Sequence, residues 1–130
     1  MRRWLPLTAL VLLASVTTGS AHAAGARTFV LYFSSWSALI EPAAAEIVPA
    51  AVVAAKEDGN APVSVTGYAS TIGSAEANTL LSRLRAQVVS DALVADGVDA
   101  KRITLTAVGP TTFLVEPVES RRAVIEIGAK

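Results

Sequence analysis

Residues 66–89 read TGYASTIGSAEANTLLSRLRAQVV, and four of them, Ser70, Gly73, Asn78 and Arg85, stand at spacings that could bring them to one site. The informative one is Arg85, a guanidinium placed beside a Leu-rich stretch. Its planar fork can donate two parallel hydrogen bonds to one carboxylate, so the chemistry it suggests is the gripping of an anion rather than the breaking of a bond. The bland alternative is an Arg whose stem covers a helix and whose head pairs with a carboxylate of its own chain. Asn78 can contact a ligand or stabilise the turn before the helix. Gly73 suits a positive φ and a close backbone approach. Arg121 and Arg122 follow one another in a strand-like run, so they point to opposite faces. Arg122 is assigned to the pocket side.

Two absences narrow the chemistry. The chain has no Cys, and its single His is His22. Residues 1–23 read as a secretory signal peptide: Arg2 and Arg3 form the basic start, Leu5 to Val16 an apolar core, and Ala21-His22-Ala23 the cleavage site. The domain is then 24–130, without Cys or His. Cys-His dyads, Ser-His-Asp triads and nearly all zinc sites are excluded there. Neither a metal nor a cofactor is expected, and the Ser34-Ser35-Trp36-Ser37 run has no base beside it. Without Arg2 and Arg3 the acidic residues outnumber the basic ones, which is no platform for nucleic acid. Past residue 24 no apolar run is long enough for a membrane span.

The elements that must hold these residues follow from periodicity. Arg27 to Phe33 is an apolar, β-branched and aromatic run and reads as a buried strand. The Ala-rich stretch from Pro42 to about Asp58 reads as a helix, either kinked at Pro49 or properly beginning near it, and ending at Gly59-Asn60. Pro62 to Tyr68 alternates as a second strand. Ser74 is positioned to cap a helix running to Ala95, and Gly97 to end it. In that helix Ala77, Leu80, Leu81, Leu84, Val88, Ala92 and Ala95 recur at helical spacing and predict the buried face. Arg102 to Gly109 and Arg121 to Gly128 complete four strands. The order β-α-β-α-β-β, with right-handed crossovers, implies a two-layer α/β sandwich: a mixed four-stranded sheet with two helices on one face.

The motif residues resemble those of the OmpA-like carboxy-terminal domains, peptidoglycan-binding modules of Gram-negative cell envelopes. Gly67, Gly73, Asn78, Leu81-Ser82 and Arg85-Ala86 fall at that family's spacing, Tyr32 to Leu39 is similar to its first-strand segment, and Ser120 to Ile127 to its closing strand. The resemblance spans nearly all of 24–130. It implies a periplasmic or outer-membrane-associated protein without enzyme activity. It also implies a site in which an Arg, here Arg85, pairs with the carboxylate of a diaminopimelate side chain of the stem peptide. The family's Asp, which pairs with the ammonium of the same ligand, is replaced by Ser70. Charge-assisted bonds are worth ~1.5–3 kcal/mol against ~1 for neutral ones, so this exchange weakens such a ligand roughly 3- to 30-fold. Ser34 and Trp36 stand where the family has Asp, Tyr68 where it has His, Ser120 where it has Asn. Two functions fit: non-covalent binding of peptidoglycan through a stem-peptide carboxylate, with Ser70, Gly73, Asn78 and Arg122 around Arg85, or a degenerate module that docks another envelope protein.

Overall fold

The computed structural model describes residues 25–111 and 117–128. The expected signal peptide, 1–23, most of the connection after Pro110 and the last two residues lie outside them. The strands are β1 (Arg27–Tyr32), β2 (Val63–Ala69), β3 (Ile103–Pro110) and β4 (Arg122–Ile127). They form one mixed sheet in the order β1-β4-β2-β3. Strand β4 is antiparallel to both β1 and β2, whereas β2 and β3 are parallel. The two-layer architecture and the element order agree with the sequence reading.

The Ala-rich stretch forms two pieces, α1 (Pro42–Ala45) and α2 (Ile47–Glu57). Pro49 lies in the first turn of α2, where its missing N–H has no intrahelical acceptor to lose. Helix α3 runs over Ala75–Ala95. Its N-cap is Ser74, whose side chain accepts from the Ala77 N–H. The chain leaves the helix through Gly97 at φ 106°, in the left-handed region that suits glycine. Helices α2 and α3 share one core with the sheet. Ala51, Ala54 and Ala55 from α2 and Val89 and Leu93 from α3 pack with Val63, Val65, Leu31 and Ile125. The alternate residues Ser64, Thr66 and Tyr68 of β2 are only half-buried, so the other sheet face stays more open.

The face by which α3 is buried differs from the expectation. The buried residues are Asn78, Ser82, Arg85, Ala86, Val89, Ser90 and Leu93. Leu80 and Leu84, the centre of the apolar stripe, are more than half exposed, while Leu81 and Val88 are half-buried. The cause lies in β2. A Cβ built on Gly67 would come 1.9 Å from the Ser82 carbonyl oxygen and 3.0 Å from the Ala86 nitrogen. Helix backbone rests directly on strand backbone there, and only small side chains fit between them. Ser82 secures the contact: its hydroxyl donates to the Thr79 carbonyl and accepts from the Gly109 N–H of β3, just past the register shift between the two parallel strands.

Candidate functional site

Helix α3 enters this close packing with Arg85 on its inner face, and Arg85 is among the largest fully buried side chains of the protein. A buried guanidinium is costly unless its donors are used. Three of them are. Nε donates to the Ser37 carbonyl at 2.8 Å, Nη1 to the Tyr68 carbonyl at 2.9 Å and Nη2 to the Ser34 carbonyl at 3.1 Å. The centre of the Phe33 ring lies 5.3 Å from Cζ and adds an electron-rich face. All these partners are neutral. Burial, reinforced by the like charge of Arg121, lowers the pKa of Arg85 to about 10, which still leaves it charged at neutral pH. The internal partner of the alternative reading, a carboxylate of the same chain, is absent among the described residues around this group.

A cleft of about 60 Å³ opens in front of this guanidinium, lined by Ser35, Trp36, Ser70, Ile72, Asn78, Leu81, Arg85 and Arg121. Each wall has a local cause. Ser70 follows directly on β2, and its hydroxyl accepts from the Ile72 N–H, a short Ser turn that shapes the loop. Asn78 is buried in the first turn of α3. Its Nδ2 donates to the Ile72 carbonyl at 2.8 Å and the Ser74 carbonyl at 3.0 Å. The side chain thereby staples the loop to the helix start. Both amide hydrogens are used, and Oδ1 is left as the acceptor of that side chain. Gly73 has φ 92°, and a Cβ there would lie 2.6 Å from Cη2 of Trp36. Its bare backbone is what allows the indole to settle on the loop. Trp36 itself has φ 55° and remains 57% exposed. A positive φ is uncommon for so bulky a residue. The indole stands at the cleft wall and does not cover the core.

Of the five residues singled out in the sequence, Arg85, Asn78 and Ser70 line the cleft, and Gly73 backs it through Trp36. Arg122 does not line it. Its guanidinium stacks 4.0 Å from the centre of the Tyr68 ring and its Nη1 donates to the Glu119 carbonyl. Arg121 instead takes the place assigned to Arg122: it lines the cleft, and its Nε donates to the Phe33 carbonyl at 3.1 Å. Alternation along a strand separates the two side chains, but which one meets the helices depends on which sheet face they cover. Strand β4 starts at Arg122, opposite Tyr32, with Arg122 half-buried and Ala123 buried against the helices. Arg121, one residue earlier, continues the pairing, its carbonyl accepting from the Phe33 N–H at 2.8 Å, and so falls on the same face as Ala123. Ser35, Ile72 and Leu81 also line the cleft, and nothing in their types points to a site.

Among the described residues the lining therefore holds two guanidinium groups, neutral polar groups and an apolar rim, with no acid. It also offers no His or Cys, and no cluster of His, Cys, Asp and Glu suited to a metal occurs among the described residues. Such a cleft can bind and orient an anion, but among the described residues it contains no nucleophile paired with a base.

Known proteins show the same arrangement of elements. The peptidoglycan-associated lipoprotein from Burkholderia pseudomallei superimposes with a TM-score of 0.70 at 19% identity, covering 76% of this chain and 89% of that one. The cell wall anchor of the T6SS from Pseudomonas aeruginosa superimposes with a TM-score of 0.64 at 24% identity, covering 81% and 82% respectively. In sequence, the probable lipoprotein YiaD of Escherichia coli (strain K12) is 38% identical over 78 residues, which is 60% of this chain and 36% of that relative's length. The chain thus spans about a third of that curated relative. The model of the OmpA family matches residues 32–123, from the last residue of β1 into β4. That stretch contains every wall of the cleft and both helices that position it, and by it the chain belongs to the OmpA family.

Proposed function

We propose that this chain is a non-enzymatic module of the bacterial cell envelope, periplasmic or associated with the outer membrane, which binds peptidoglycan non-covalently. It does so by holding a stem-peptide carboxylate at the cleft between Arg85 and Arg121. The observation that carries the proposal is the state of Arg85: a charged guanidinium at a cleft wall, oriented by three main-chain carbonyls and neutralised by no carboxylate among the described residues. Fixing the fork in advance removes the rotamer entropy that an Arg otherwise loses on binding. Membership of the OmpA family, and relatives named as a peptidoglycan-associated lipoprotein and a cell wall anchor, support the wall as the source of that carboxylate.

The test is co-sedimentation with purified sacculi. Wild type is expected in the pellet, and Arg121→Gln, which shortens the side chain only modestly and removes its charge, is expected to bind about tenfold more weakly. Wild type remaining in the supernatant refutes the proposal. One observation favours a second reading, a module that docks another envelope protein: Ile72, Leu80 and Leu84 are exposed apolar residues on or beside α3. Under that reading, Leu84→Glu abolishes capture of the partner, while sacculi are not bound at all.

A further inference from the structure

The charge of the cleft and its neutral acceptors, taken with its apolar rim, point to a narrower ligand class; the inference rests on the peptidoglycan reading above. We propose that the cleft selects carboxylates whose neighbouring nitrogen is acylated over those beside a free ammonium: its wall ligand is the stem-peptide residue whose side-chain amine has become a cross-link amide.

Charge is the first ground. The described lining carries Arg85 and Arg121 and no acid, and Ser70 stands at the end of β2 with a hydroxyl in place of any anionic partner for an ammonium. A free amino acid bound by its carboxylate brings its ammonium close to the two guanidinium groups. Like charges at such range in a partly screened cleft change affinity by about tenfold. An amide brings no charge. Arg121 already acts on Arg85 in this sense: burial lowers the pKa of Arg85, and the like charge of Arg121 lowers it further.

The neutral character of the acceptors is the second ground. An ammonium presents three N–H donors and an amide only one. The Ser70 Oγ already accepts from the Ile72 N–H, and both hydrogens of the Asn78 amide are used on carbonyls. What remains on these two side chains is the Asn78 Oδ1, the second lone pair of Ser70 Oγ and the Ser70 hydroxyl hydrogen, all of them neutral groups. They suit the N–H and the C=O of one amide, and give an ammonium only neutral acceptors, whose bonds are weaker than those of a carboxylate.

The third ground is the rim. Trp36 is 57% and Ile72 65% exposed, both on the cleft, and the indole is pinned against Gly73. An acyl group continuing outward from the amide meets apolar surface there, whereas a bare ammonium leaves that surface in water.

The experiment uses two probes and one polymer. The probes are a stem tripeptide ending in meso-diaminopimelate with its side-chain amine free, and the same tripeptide acetylated on that amine. Binding is followed by the fluorescence of Trp36 on the cleft wall, with Trp36→Phe as the control for signal from elsewhere in the chain. The acetylated probe is expected to bind about tenfold more tightly, and Ser70→Asp is expected to reverse the order by supplying the ammonium with an anion. In parallel, sacculi whose free amines have been acetylated are expected to retain or gain co-sedimentation. Equal affinity of the two probes, tighter binding of the free amine, or loss of sedimentation on acetylation overturns the proposal. If native sacculi still sediment the protein in those cases, the peptidoglycan reading stands without it. If neither native sacculi nor either probe is bound, both fall.

Discussion

Replacing Arg85 by Leu tests whether this residue holds the fold together as well as facing the cleft. The substitution keeps most of the aliphatic bulk and removes the donors to the carbonyls of Ser34, Ser37 and Tyr68. A polar group left unsatisfied costs ~1–3 kcal/mol. The carbonyls of Ser34 and Ser37 lie in a surface loop, where water can replace the guanidinium, so they take the low end of that range. The Tyr68 carbonyl lies within β2, one residue before the buried Ala69, and takes more. Against these losses stands the relief of a buried charge, the same cost that lowers the pKa of Arg85 to about 10. The balance is a destabilisation of roughly 2–4 kcal/mol. For a domain of this size that corresponds to a fall in Tm of roughly 10–25 °C. The assay is thermal and urea unfolding of wild type, Arg85→Leu and Arg85→Lys, with Lys expected in between because it keeps the charge but not the fork. A stability for Arg85→Leu within about 0.5 kcal/mol of wild type, or above it, refutes the reasoning. It would mean that the loop carbonyls rehydrate freely and that the charge was a net burden.

Four further outcomes follow from the packing and the charges. Gly67→Ala places a methyl 1.9 Å from the Ser82 carbonyl oxygen and must push α3 off the sheet. Urea unfolding of that variant is expected to show a loss of about 3 kcal/mol or more. Arg102 donates to the carbonyls of Ala55, Asp58 and Ala61 at the end of α2. Arg102→Leu is expected to cost about 1–3 kcal/mol, seen as faster amide exchange in the last turn of that helix. Ser74→Ala removes the side-chain cap of α3 and is expected to cost ~1 kcal/mol in the same unfolding assay, while Ser74→Asp restores it. Sacculus binding is expected to weaken as salt is raised, because the Debye length shrinks from ~10 Å at ~0.1 M to ~3 Å at ~1 M; binding indifferent to salt argues against a charged anchor.

Much of the scaffold was legible along the chain because its signals are local. Alternation marked β2, Ser74 and Gly97 marked the ends of α3, and Pro49 marked a helix that starts late. The β-α-β-α-β-β order then leaves few topologies, and the observed sheet is one of them. The candidate site was legible in part. Arg85, Asn78 and Ser70 line one cleft, as their spacing suggested. Arg122 was misplaced because apolar residues stand on both faces of β4, Ala123 and Ile125 on one and Val124 on the other, so the alternation alone does not say which arginine shares the helix side. The buried face of α3 was misread for a related reason: helical periodicity identifies an apolar stripe but not the side on which a neighbour can approach closely.

By itself, the sequence determined the class of fold, the ends of the elements, the absence of Cys and His from 24–130, and a guanidinium set at a family spacing in the second long helix. Only the tertiary structure decided how that guanidinium is used. Ser34, Ser37 and Tyr68 are distant from Arg85 in sequence, and their carbonyls converge on it only once α3 is seated on Gly67. That seating is governed by the missing Cβ on β2, a short-range steric fact whose partners, Ser82 and Ala86, belong to a different element. It turns the leucines outward and the arginine inward, towards a cleft that already holds a second positive charge.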